Sequence, residues 1–248
     1  MSITALAAPL TDAPVAGQES LALGVDADPD GNGPLSLATI DACTSVARDD
    51  VFDVDIYIEN AQELLAWEAY IGYDPEILDV VGRDVEMFLA GNPNSSVLDV
   101  SGRVPDPGLY QVAAADISDP PTPDSGSGVL FRLSMKAISS GTSSIELVTR
   151  DVDGDGRTDL GPLLRNVDGN VLGDTNGDSI FDGPIGSAEV SVDAPCQGAG
   201  SGPASDNSSG GGVSPVFIAI AAAGGAVAAL IAGLLAFRRL RRGRSIPG

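Results

Sequence analysis

The chain has 248 residues, with 35 acids, 13 basic residues, two cysteines and no histidine. The first 212 residues hold all 35 acids against 8 basic residues, a net −27, and five arginines crowd the C-terminus. So acidic a surface excludes nucleic acid, whose phosphates need clustered Lys and Arg, and the lack of histidine excludes Ser-His-Asp and Cys-His catalysis. Two carboxylates suffice for a glycosidase, but nothing in the spacing marks a pair, and the expectation is a non-enzyme. Residues 1–20 read as a signal remnant or disordered lead-in: Ala5-Leu6-Ala7-Ala8 looks like the end of a signal peptide, although Ile3 to Leu10 is short and no Lys or Arg precedes it. Residues 21–195 read as one all-β domain, with strands predicted near 35–41, 51–59, 64–73, 78–83, 96–102, 108–116, 128–138, 143–149 and 186–192. From Val51 to Glu59, Phe52, Val54, Ile56 and Ile58 alternate with Asp53, Asp55, Tyr57 and Glu59, which predicts one apolar and one polar face. Asn60-Ala61-Gln62 breaks that pattern, Leu65, Trp67, Ala69, Ile71 and Tyr73 restart it, and Asp74-Pro75 stops it because Pro75 lacks the N–H that a ladder needs. Asp84 to Leu89 allows one helical turn, and no longer helical period appears before the C-terminal apolar segment.

Two such strands followed by Tyr73-Asp74-Pro75-Glu76-Ile77-Leu78 resemble the core of a cohesin module. The resemblance implies a nine-stranded jelly-roll β-sandwich, related to some carbohydrate-binding modules, and a non-catalytic module that binds dockerin domains. A carbohydrate-binding or adhesive sandwich of the same broad class is the alternative, with a polysaccharide as partner. For that alternative Tyr57, Tyr70 and Tyr110 are the candidates to face solvent, whereas Trp67 and Tyr73 share the apolar face of their strand and read as core.

Cys43 and Cys196 are the only cysteines. In an exported chain a pair is more often a disulfide than two buried thiols. The cohesin resemblance adds that the first and last strands lie near each other, and Cys43 follows the first predicted strand and Cys196 the last.

The sharpest chemistry in the sequence is calcium. Asp151, Asp153, Asp155 and Asp159 occupy positions 1, 3, 5 and 9 of a Gly-containing loop, with the carbonyl of Arg157 expected at position 7. Asp174, Asn176, Asp178 and Asp182 repeat the arrangement 23 residues later, with the carbonyl of Ile180 at position 7. Ca²⁺ takes six to eight hard oxygen ligands, which alternate Asp and Asn side chains on a tight loop supply. The loops resemble those of dockerins, EF-hands and thrombospondin-type repeats but lack the acid at position 12, where Pro162 and Ile185 stand. A weaker candidate, Asp26, Asp28, Asp30 and Asn32, has Pro34 at position 9.

Residues 196–212 read as a Gly/Ser-rich stalk and 213–237 as a transmembrane helix. Val216 to Phe237 carries no charge and spans about 33 Å as a helix, enough for the hydrocarbon core. The arginines of the 238–248 tail follow, so the positive-inside rule predicts a cytoplasmic tail and an extracellular domain on a single-pass anchor in the cell membrane.

Overall fold

A computed structural model describes residues 20–152 and 157–196. Along them run eleven strands: β1 (Ala22–Asp26), β2 (Cys43–Val46), β3 (Val51–Gly72), β4 (Leu78–Asp84), β5 (Val97–Asp99), β6 (Gly102–Arg103), β7 (Leu109–Asp116), β8 (Asp124–Ala137), β9 (Gly141–Leu147), β10 (Leu163–Asn166) and β11 (Ala188–Val192). One 3-10 turn, Phe88–Ala90, stands where a helical turn was expected. The fold is an all-β sandwich, and β3 runs through both of its layers. Its first half lies between β1 and β8, with β4 beyond β8. Its second half pairs with β7 on one edge and with β10 and β9 on the other, and β9 continues to β11 and β2.

The two halves of β3 meet at a bend that the sequence signals as a break. Asn60 and Glu63 take positive φ (59° and 50°), and the pairing with β8 shifts register on either side of Ala61. Ser127 Oγ and Ser125 Oγ accept the N–H groups of Asn60 and Glu63, at 3.0 and 2.8 Å, so the bend leaves neither donor unmet. Trp67 from the second half stacks on Phe131 of β8, with ring centroids 4.7 Å apart, at the centre of the core. The two are fully buried, so two of the largest buried side chains among the described residues join one layer to the other.

Several expectations need correction. The predicted strands 51–59 and 64–73 are one bent strand, and 96–102 divides into β5 and β6. No strand forms over 35–41: Leu35 and Ile40 are exposed, because Asp26 and Asn32 hold this stretch as a loop through the N–H groups of Asp41 and Ala38. In its place come β1 and β2, and β10 adds a further strand, so the described residues hold eleven strands rather than nine. All three are only four or five residues long, too short for a period to register.

Asp74-Pro75 ends β3 as expected. The Asp74 carbonyl accepts the N–H groups of Ile77 and Leu78, its carboxylate accepts that of Glu76, and Tyr73 N–H donates to Gly108. Gly108 has φ +81°, and a Cβ there would stand 2.5 Å from the Tyr73 carbonyl oxygen. Gly108→Ala is therefore expected to cost about 2 kcal/mol by strain and collision, measured as a fall in the urea midpoint at constant m-value. A neutral outcome would show that the turn relaxes freely.

Candidate functional site

The two acidic loops lie between β9 and β11, on either side of β10. The first is pinned at its base: Arg150 N–H donates to the Leu160 carbonyl and Asp159 N–H to the Arg150 carbonyl. Asp153 and Asp155 fall outside the described residues. The second is pinned by Asp182 N–H to Gly173 and Phe181 N–H to Pro162. Phe181 is buried in the main core, and Ile180 packs so closely over Gly161 that a Cβ there would lie 2.5 Å from its Cγ2. Loop two is thus anchored to the sandwich by the two residues that precede its last acid.

Both loops close in the same way, a likeness that the sequence spacing only hints at. The acid at position 9 accepts the N–H of position 2: Val152 N–H to Asp159 Oδ2 at 2.8 Å, and Thr175 N–H to Asp182 Oδ2 at 2.7 Å. The Thr175 N–H and hydroxyl hold Asp182 below the usual carboxylate range. Asp174 accepts the N–H groups of Asn176, Gly177 and Ser179, while Asn176 Oδ1 accepts that of Asp178. Gly177 and Ser179 carry the chain round with φ of 83° and 73°. The loops also touch each other, through Arg157 Nη2 on the Gly177 carbonyl at 3.1 Å and Thr158 N–H on Asp178 Oδ2 at 3.4 Å. Among the described residues, no three acids converge on one point.

The weaker candidate loop is a different object. Asp26 is fully buried and accepts the N–H groups of Asp28 and Asp41 together with Asn32 Nδ2. Burial pushes its carboxyl up, against the pull of those bonds. Asp26 pairs in register with Asp55, and Asp55 with Arg132. Asp55, placed by the alternation on a polar face, has no exposed surface; it accepts Arg132 Nε at 2.6 Å and Nη2 at 2.9 Å. Asn32 Nδ2 bridges the two acids, at 2.7 and 3.2 Å. Sequence spacing could not find this network, whose partners come from three strands and a loop.

The tyrosines do not form a row facing solvent. Tyr70 is buried and donates to Glu68 Oε1 at 2.8 Å, where Gln111 Nε2 also donates at 2.6 Å. Tyr110 is buried beneath Arg83, whose Nη1 donates to its hydroxyl. Of the three candidates only Tyr57 is half-buried, lying across Gly24, where there is no side chain to displace it.

Cys43 and Cys196 form a disulfide, with Cα atoms 6.0 Å apart. Cys43 opens β2 rather than following a strand over 35–41, and β2 runs parallel to β11, with Cys43 opposite Glu189. Cys196 N–H donates to Ser45 Oγ, which draws the chain end back over β2. The lead-in 1–19, most of the stalk, the 213–237 segment and the basic tail lie outside the described residues. Among the described residues, no helix is long and apolar enough to cross a membrane.

The family model for the cohesin domain matches residues 37–171. No curated protein matches the chain. Solved structures similar to it include a non-cellulosomal cohesin from the hyperthermophilic archaeon Archaeoglobus fulgidus, at 14% identity and a TM-score of 0.43, covering 71% of this chain and 93% of that one. The sixth cohesin of scaffoldin B from Acetivibrio cellulolyticus, solved in complex with a mutant Cel5 dockerin, is 12% identical with a TM-score of 0.46, over 70% of this chain and 99% of that one. A type II cohesin from the cellulosome of the same organism is 14% identical with a TM-score of 0.46, over 69% and 95%. With the family model spanning more than half of its residues, the chain belongs to the cohesin family.

Proposed function

We propose that the chain is an exported, non-catalytic binding module that displays or tethers a dockerin-bearing or other exported protein. Residues 216–237 would anchor it in the cell membrane, with the domain outside on the 196–212 stalk and the 238–248 tail in the cytoplasm. The observation that carries this reading is membership of the cohesin family over residues 37–171, a family of non-catalytic protein-binding modules. The buried Tyr70 and Tyr110 leave no aromatic platform among the three candidates, which weighs against a polysaccharide as the partner. A fragment spanning 21–196, immobilised and run against the source organism's secreted proteins, is expected to retain a dockerin-bearing protein. Retention on insoluble polysaccharide with no protein captured would overturn the reading.

Calcium belongs to the same proposal. Asp151, Asp153, Asp155 and Asp159 with the Arg157 carbonyl would hold one ion, and Asp174, Asn176, Asp178 and Asp182 with the Ile180 carbonyl a second. The donor set is all hard oxygen and fits Ca²⁺. The carboxylates that accept loop amides keep lone pairs for a metal, but their side chains must swing inward to share one ion. The ion would supply positive charge to a stretch with eight aspartates between residues 151 and 182. At tenfold excess over Kd each site is expected to add about 1.4 kcal/mol. Melting in calcium against EDTA measures this gain, and Asp174→Ala is expected to remove one site's share. Identical melting in both conditions would remove calcium from the account.

A further inference from the structure

Residues 117–123 turn β7 into β8 around two carboxylates. Asp116, at the end of β7, is buried and saturated with hydrogen bonds. Its Oδ1 accepts the N–H groups of Ser96 and Ser118, at 3.1 and 2.8 Å. Its Oδ2 accepts the Thr122 N–H and hydroxyl and the Ser118 hydroxyl, at 3.0, 2.7 and 2.8 Å. Asp124, the first residue of β8, is 7% exposed, and its Oδ2 is sealed from solvent with no hydrogen-bond partner. The Ser118 and Thr122 hydroxyls of the turn go to Asp116 instead.

Among the described residues, no cation pairs with either acid. From β7 Asp124 faces Asp116; the turn contributes only Asp119 and the adjoining β3 bend only Glu63, both acids and both exposed. From β10, Asn166 pairs with Leu64, the partner of Asp124, while Arg165 Nη1 is turned to the Gly169 carbonyl. Burial first, and Asp116 second, push the Asp124 carboxyl up to about 6. Burial would raise Asp116 too, but its hydrogen bonds outweigh that and hold it below the usual range. The start of β8 is also thinly laddered. Before Gly128 only Asp124 and Gly126 pair with β3, across two register breaks, and Gly126 sits at φ +115°.

We propose that the β7–β8 turn and the start of β8 form a pH-operated latch, closed on the β3 bend while Asp124 is protonated and loosened when it ionises. In the open state Asp124 reaches water and titrates near its ordinary 3.8. The closed state therefore holds its proton to higher pH than the open one, and closure is strongest below 3.8. It weakens as pH rises from there through about 6 and is flat above. The full difference between those two values is about a hundredfold in the opening equilibrium, an upper figure.

Hydrogen exchange on the full chain, corrected for the pH dependence of intrinsic exchange, tests this at the amides of residues 60, 63 and 124–128. Protection there is expected to fall by tenfold or more between pH 4 and pH 7.5, while amides of the Trp67 core change little. Asp124→Asn, which cannot ionise, is expected to stay protected at both pH values. A wild-type profile independent of pH, or one that Asp124→Asn shares, would overturn the latch. Should that variant not fold, the side-chain carboxyl resonance of Asp124 in the wild-type chain decides: a midpoint near 6 supports the latch, and one below 4.5 overturns it.

Discussion

Arg132→Ala is expected to lower the unfolding free energy by about 3–5 kcal/mol, the scale set by removing one partner of a buried ion pair. The register of β1, β3, β8 and β4 places Asp26, Asp55, Arg132 and Asp84 side by side, so one guanidinium stands in a row of three acids. Asp55 has no exposed surface, and both of its oxygens accept from Arg132. Without the arginine, Asp55 keeps only the Asn32 amide at 3.2 Å, and that amide already serves Asp26. A buried carboxylate with so little compensation is costly in a way that a surface pair is not. The reverse change, Asp55→Asn, is expected to cost less, because the Arg132 side chain retains 27% exposure and reaches water. Arg132→Lys does not rescue, since a lysine cannot make the two-pronged contact. A double variant, Arg132→Met with Asp55→Leu, is expected to recover most of the loss. Urea denaturation of the four variants at one pH measures all of this. A loss below 1 kcal/mol for Arg132→Ala would show that water already solvates the pair.

How much of this was readable in the sequence depends on whether the signal was local. β4, β7, β8 and β9 stand where the predicted strands lie, because neighbours along the chain decide which face a side chain takes. The spacing of the two acidic loops is local too, and it led to two segments that close alike through Asp159 and Asp182. Three things were not local. The bend in β3 depends on Ser125 and Ser127 arriving from β8 to cap Asn60 and Glu63. Asp55 looked like a solvent-facing residue because alternation reports a side chain's direction but not what covers it; Arg132 lies 77 residues away. Tyr70 and Tyr110 misled for the same reason, since Glu68 accepts the Tyr70 hydroxyl inside the fold and Arg83, from β4, donates to that of Tyr110.

Replacing Cys43 and Cys196 by serine is expected to cost about 2–5 kcal/mol. The bridge joins residues 153 apart, and the chain-entropy model puts the effect near 5 kcal/mol for a loop of that length, an upper figure. The native contacts explain why most of the loss falls on the unfolded state. β2 keeps its parallel ladder to β11 over four residue pairs, and Cys196 N–H keeps Ser45 Oγ. The folded chain therefore has other means of holding its edge. The unfolded chain has none, and it expands once the crosslink is gone. The expected signature is a larger m-value alongside the lower stability, since a freer denatured chain exposes more surface. A loss of stability at unchanged m-value would place the effect in the native state, with β2 detaching from β11. The distinction bears on the proposed tether. There, a stalk that leaves the domain at Cys196 would pass tension from a bound partner into the sandwich through the disulfide and β2 as well as through β11. In the serine variant the same tension enters without the covalent tie, through β11, which is held by five pairs to β9 and four to β2. Pulling on the C-terminus is then expected to unfold the variant at lower force than the wild type, with β11 the first strand to leave.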